Sequence, residues 1–195
     1  MSDDKTQADS PTQADSPAQA GDELNWWARL RQKRWARWAI DLAIFALLFA
    51  GISMWQGRDF VSSGQPAPAF ALEGLDGEFH QLEDYRGKKT MVVFWAPWCG
   101  VCGAESDNVS RVKSWLGERV NVVSVALSYE SRESIDGFVD KHDVDYPVLL
   151  GDAQVGSDYN ISSYPTMYVI DADGNVEHSV AGYATTFGML WRVLF

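Results

Sequence analysis

The sequence predicts an α/β domain, a mixed sheet flanked by helices, behind one N-terminal transmembrane helix. Three observations carry that prediction. From Phe70 onward, apolar runs of buried-strand type alternate with segments of helical period. An apolar run from Trp38 to Trp55 follows a cluster of basic residues. A Cys-x-x-Cys pair, holding both cysteines of the chain, sits between a buried strand and a helix.

With 195 residues, 46% of them hydrophobic, the chain can bury one substantial core. Its net charge of -11 repels phosphates and excludes a general nucleic-acid binder. Residues 1–24 form an acidic tail containing the repeat TQADSP TQADSP, too polar to offset its ordering entropy and expected to be disordered. Residues 25–37 are basic and tryptophan-rich and suit an anionic inner leaflet. Residues 38–55 are long enough to cross a hydrocarbon core of about 30 Å. Arg29, Arg31, Lys33, Arg34 and Arg37 precede that run, so the tail is expected in the cytoplasm and everything after Gln56 outside it. Asp41 shortens the clean apolar stretch and raises a cleaved signal peptide as competitor, but the long preceding tail favours a retained anchor. Asp41 itself follows Arg37 by four residues and can pair with it. Residues 56–68 read as a Gly/Ser/Pro linker, and 69–195 as the folded domain.

Within that domain, ALEGLDGEFHQL predicts a hairpin turning at Asp76-Gly77. TMVVFWA predicts a buried strand, and Cys99 to Leu116 a helix. VNVVSVAL is a second buried strand, SRESIDGFVDKH a helix, and YPVLL a short strand. A small helical or turn region falls near Gln154 to Tyr159. YPTMYVID and NVEHSVAGY read as an antiparallel pair turning at Asp173-Gly174, and Thr185 to Phe195 as a closing helix.

Two cysteines are too few for a disulfide scaffold, and His80, His142 and His178, expected at the surface, lack partners at zinc-ligand spacing. A Cys-x-x-Cys that opens a helix instead places Cys99 where unpaired N–H groups and the macrodipole favour thiolate over thiol. Cys102, one turn further in, is placed to attack a mixed disulfide formed on Cys99. Glu105 leads the row Glu105, Val109, Val112, Leu116, which the helical period turns toward the sheet. A carboxylate partly desolvated there has a raised pKa and can accept the Cys102 proton.

FWAPWCGVC, Glu105 three residues after the second cysteine, and SYPT near the end resemble the thioredoxin-fold proteins. With the N-terminal anchor, the hairpin and the inserted helix and strand, the chain is similar to the membrane-anchored periplasmic thiol-disulfide oxidoreductases of the TlpA/ResA group, and within it to the suppressor-of-copper-sensitivity branch of ScsD. GYATT, residues 182–186, is also similar to that branch. The resemblance covers roughly Trp38 to Phe195. It implies a thioredoxin-like fold, a bacterial inner-membrane location with the domain in the periplasm, no cofactor or metal, and catalysis by Cys99 and Cys102 on protein thiols and disulfides. It further implies a cis peptide at Pro165, a substrate groove lined by Trp98, Tyr164 and Thr166, and a DsbD-like membrane electron donor. Two positions depart from relatives. Val93 stands where thioredoxin has a buried aspartate, a duty that falls to Glu105 here. Thr166 stands where the cytochrome-maturation branch often has glutamate, which puts a dedicated apocytochrome role in doubt.

Two other functions compete. A peroxidase of related fold needs a hydroxyl three residues before its reactive cysteine, and that position is Ala96. A copper chaperone of this fold uses a wider cysteine spacing and a histidine ligand. As for direction, Gly100-Val101 supplies no imidazole to stabilise the Cys99 thiolate, which favours a reductant or isomerase-like role over a strong oxidant. A disulfide oxidase or isomerase of the same fold is the alternative.

Overall fold

The computed structural model describes residues 38–48 and 60–195. Residues 38–48 are helical, and among the described residues no helix is long and apolar enough to cross a membrane. The tail 1–24, the basic segment 25–37 and residues 49–55 of the expected anchor lie outside the described residues. The chain divides into two units, Met1–Gln56 and Gly57–Phe195, and the second carries the fold described below.

Its centre is β3, Thr90–Trp95, in which every residue is buried. A continuous apolar run belongs in such a position because both faces of the strand are covered. Met91 and Val93 enter one core, and Val92 and Phe94 the other. β4 (Asn121–Ala126) lies parallel to β3, and β5 (Val148–Leu150) parallel to β4. On the other side β6 (Thr166–Ile170) runs antiparallel to β3 with Val92 opposite Tyr168, and β7 (Val176–Ala181) antiparallel to β6. The resulting order is β5-β4-β3-β6-β7. Helices α1 (Gly100–Leu116), α2 (Arg132–Lys141), α3 (Ala153–Asp158) and α4 (Thr186–Leu194) complete the thioredoxin-like fold.

The predicted hairpin is present as β1 (Ala71–Glu73) and β2 (Phe79–Gln81). Gly77 turns it with φ +83°, and the Asp76 carboxylate accepts the Glu78 N–H at 3.0 Å. The Leu75 N–H donates to the Val148 carbonyl at 2.9 Å and Gly74 bridges Leu149, so the hairpin partly covers the β5 edge of the sheet.

Residues 60–68, read from composition as part of a linker, are instead part of the folded body. Gly64 N–H donates to Val176 O, and Val176 N–H to Gln65 O, both at 2.8 Å. Two core tyrosines reach the same segment. Tyr159 donates to the Pro68 carbonyl at 2.8 Å, and the Tyr168 hydroxyl accepts the Val61 N–H at 3.4 Å. Gly, Ser and Pro suit a spacer, but here the backbone, turning at residues 63–64, satisfies polar groups against β7 while Ala67 is buried. The histidines also need correction, since all three are half-buried. His80 is held between Asp76 and the Tyr85 hydroxyl, the latter at 2.9 Å, and the ring of His142 packs against Phe138.

Candidate active site

β3 delivers the chain into a short loop, Ala96 to Trp98, that turns directly into α1. Cys99 is the N-cap of that helix, with extended backbone (φ -82°, ψ 101°), and its sulfur accepts the Cys102 N–H at 3.1 Å. A sulfur thus stands where an N-cap oxygen usually does. Cys99 and Cys102 are joined as a disulfide, with their Cα atoms 5.3 Å apart. Both are buried beside Trp95, Ala126, Ile135 and Phe138. Trp95 is core, as expected, stacked on Phe138 with ring centroids 4.1 Å apart. Ala96 contributes its carbonyl, which accepts the Cys99 N–H at 3.0 Å.

The α1 stripe faces the sheet: Glu105, Val109, Val112 and Leu116 are all buried. Glu105 is only 2% exposed. Loss of water pushes its pKa up to about 7, partly opposed by the Ala184 N–H, which donates to Oε1 at 2.6 Å. The carboxyl is therefore poised to change protonation near neutrality, one helical turn beyond Cys102.

The Tyr164–Pro165 peptide bond is cis. Tyr164 and Trp98 meet edge to face, their centroids 5.7 Å apart, and Trp98 is 68% exposed. Thr166 differs from expectation. It is fully buried as the first residue of β6, and its hydroxyl donates to the Ser163 carbonyl at 2.8 Å. It shapes the loop from within and presents no hydroxyl to a substrate.

Ser128 is a site residue that the sequence reading missed. Its carbonyl accepts the Trp98 indole N–H at 2.9 Å, and its hydroxyl lies 2.9 Å from the Tyr164 hydroxyl. It thereby ties the exposed Trp98 to the half-buried Tyr164. It does so from a left-handed backbone, φ +50°, uncommon for a serine and concentrated at functional loops. No motif announces it. Beside it opens a cleft of about 960 Å³, walled by Leu127, Ser128, Tyr129, Asp152, Ile161 and Tyr164. His142 was also missed. A Cβ built on Gly103 would stand 2.5 Å from its ring, so the glycine after Cys102 is the seat of an imidazole.

Residues 63–179 match the family described as AhpC/TSA. The chain is 33% identical over 127 residues to the thioredoxin-like protein YneN of Bacillus subtilis, covering 64% of this chain and 75% of the relative. It is 32% identical over 149 residues to the thiol-disulfide oxidoreductase ResA of the same organism, covering 75% and 79%. Among solved structures it is similar to a thiol:disulfide interchange protein of the thioredoxin family from Chlorobium tepidum, with a TM-score of 0.61, 26% identity and coverage of 69% and 97%. It is also similar to the exposed lipoprotein thioredoxin of Streptococcus pneumoniae, with a TM-score of 0.60, 27% identity and coverage of 65% and 98%.

Proposed function

We propose, on the premise that the chain belongs to the AhpC/TSA family and is a thiol-disulfide oxidoreductase within it, that it reduces protein disulfides outside the cytoplasm from a membrane anchor. The observation that carries the reading is the sulfur of Cys99 in the N-cap position of α1, accepting the Cys102 amide. A thiolate there is stabilised by an N–H donor and by the positive end of the helix.

The steps balance as a two-electron exchange. The Cys99 thiolate attacks a substrate disulfide, forming a mixed disulfide and releasing one substrate thiolate. Glu105 accepts the proton of Cys102, whose thiolate then attacks the Cys99 sulfur. The mixed disulfide breaks, the second substrate thiolate leaves, and the Cys99–Cys102 disulfide forms. The substrate has gained two electrons and takes up two protons. A thiol donor in or at the membrane, of DsbD-like type, returns the pair to the dithiol. Trp98, Tyr164 and cis-Pro165 hold the substrate chain beside Cys99, an arrangement that suits an extended backbone.

Cys102→Ser tests the scheme in cells. It halts exchange at the mixed disulfide, so substrates should be recovered covalently on Cys99; a variant that accumulates no mixed disulfide sinks the mechanism. Direction is read by equilibration with glutathione. With Gly100 and Val101 between the cysteines, the potential should lie nearer to thioredoxin's, about -270 mV, and a value near about -120 mV would mark an oxidant. The inner-membrane location rests on the apolar run 38–55 and its basic flank, and protease accessibility on either side of the membrane tests it. A role in copper stress rests on the resemblance of GYATT to the copper-sensitivity branch, and growth of a deletion strain on copper tests that.

A further inference from the structure

The segment GYATT, residues 182–186, links β7 to α4, and α1 grips it at two consecutive turns. From one turn, the Glu105 carboxylate accepts the Ala184 N–H at 2.6 Å. From the next, the Asn108 amide Nδ2 donates to the Ala184 carbonyl at 3.0 Å and to the Tyr183 hydroxyl at 2.9 Å. Asn108 Oδ1 accepts from the Thr186 hydroxyl at 2.9 Å and from Arg111 Nη1 at 3.1 Å. Both donors and both lone pairs of this buried side chain are thus engaged. A simple pin between helix and loop needs one such bond. Here the bonds bracket Ala184, fixing the tyrosine before it and the carbonyl after it, and its remaining polar group points at Glu105.

We propose that Asn108 is a positioning residue for proton transfer: by holding Tyr183 and the Ala184 carbonyl, it aims the Ala184 amide at the Glu105 carboxylate and sets how readily that carboxylate takes the Cys102 proton. This rests on the reading of Glu105 as proton acceptor. An N–H aimed at a carboxylate favours its charged form, against the burial that disfavours it. Without the grip of Asn108, the amide loses its alignment and burial acts almost alone. Glu105 then ionises only at higher pH, and less of it can accept a proton at neutrality. Besides Cys102, Tyr146, before β5, senses Glu105. Burial, then the charges of Glu105, Asp145 and Asp107, keep its hydroxyl protonated well beyond neutral pH. Arg111 is held on Asn108 itself, and Tyr183 on the other arm of the same amide.

The test uses the full-length chain in detergent and follows resolution of a Cys99 mixed disulfide across pH. The native rate should inflect where Glu105 titrates, and Glu105→Gln should abolish the inflection. Asn108→Ala should move it alkaline by about one pH unit and slow the step several-fold at pH 7. Thr186→Val removes a different bond to Asn108, away from Ala184, and should leave the inflection in place. If Glu105→Gln retains the inflection, the acceptor reading itself fails and this inference with it. If Glu105→Gln abolishes it but Asn108→Ala does not move it, or Thr186→Val moves it equally, the positioning role alone is wrong. Should Asn108→Ala not fold, NMR of the native chain decides. The Asn108 Nδ2 and Ala184 amide protons should titrate together, and lose that titration in Glu105→Gln. Asn108 signals that stay fixed while Glu105 titrates would overturn the proposal.

Discussion

The Cys102 backbone amide donates to the Cys99 sulfur at 3.1 Å, so the two halves of the redox pair are connected through the helix cap as well as through the bond they share. Once that bond is reduced, an amide and a helix N-terminus in this position favour a Cys99 thiolate. Cys102 has no such cap and, within the first turn of α1, is the less exposed of the two, 3% against 7% for Cys99. Iodoacetamide should therefore label Cys99 alone in the reduced protein. Its rate should inflect at least about one unit below the value near 8.5 of a free cysteine. Equal labelling of both sulfurs, or an inflection at the free value, contradicts the cap.

Glu105 sets a pH dependence of stability with an unusual sign. Its pKa rises from 4.5 to about 7 on folding, so the folded chain holds a proton that the unfolded chain has released between those values. Stability therefore falls as pH rises through that window and is flat above it. At roughly 1.4 kcal/mol per pH unit, the burial costs at most about 3 kcal/mol above pH 7. Glu105→Gln keeps the shape and removes the charge. Denaturant titrations should find it matching the native chain near pH 4 and more stable by up to about 3 kcal/mol at pH 8. A difference independent of pH would mean that the carboxyl is not the titrating group.

Trp98, largely exposed, keeps its ring in place through the Ser128 carbonyl and an edge-to-face contact with Tyr164. An aromatic held rigid in solvent beside a reactive sulfur suits contact with a macromolecule. Trp98→Ala should raise KM for a disulfide-bonded protein about tenfold while leaving reduction of a small disulfide such as oxidised glutathione within about twofold. Equal losses on both substrates would show that the ring supports Cys99 itself.

The sheet was legible because β3, β4 and β6 are mostly apolar and almost wholly buried, a pattern that suits strands covered on both faces. Glu105 was legible because it opens an otherwise apolar helical row. Residues 60–68 were misread because composition reports flexibility, whereas their order comes from the hydroxyls of Tyr159 and Tyr168, about a hundred residues away in the chain. Thr166 was assigned to substrate by its place after Pro165, but strand alternation turns it inward opposite Phe94. Ser128 and Asn108 left no signal at all. Each acts through long-range hydrogen bonds, to partners 36 and 76 residues away respectively, that no local period encodes.

Gly103 and His142 offer a test of how the active-site helix is seated. In a helix, Gly→Ala ordinarily stabilises by about 0.5–1 kcal/mol because glycine loses the most backbone freedom on folding. At Gly103 the added methyl would meet Cε1 and Nε2 of His142 at 2.5 Å, so the ring must leave Phe138, 4.6 Å away, to admit it. Displacing a packed ring costs about 1–3 kcal/mol, which outweighs the helix gain. Gly103→Ala should therefore destabilise the native chain. In a His142→Ala background the obstacle is gone, and the same change should stabilise by its ordinary amount. The cycle should give a coupling of about 2 kcal/mol between the two positions. Additive effects would show that the imidazole swings aside freely and leaves the start of α1 unsupported.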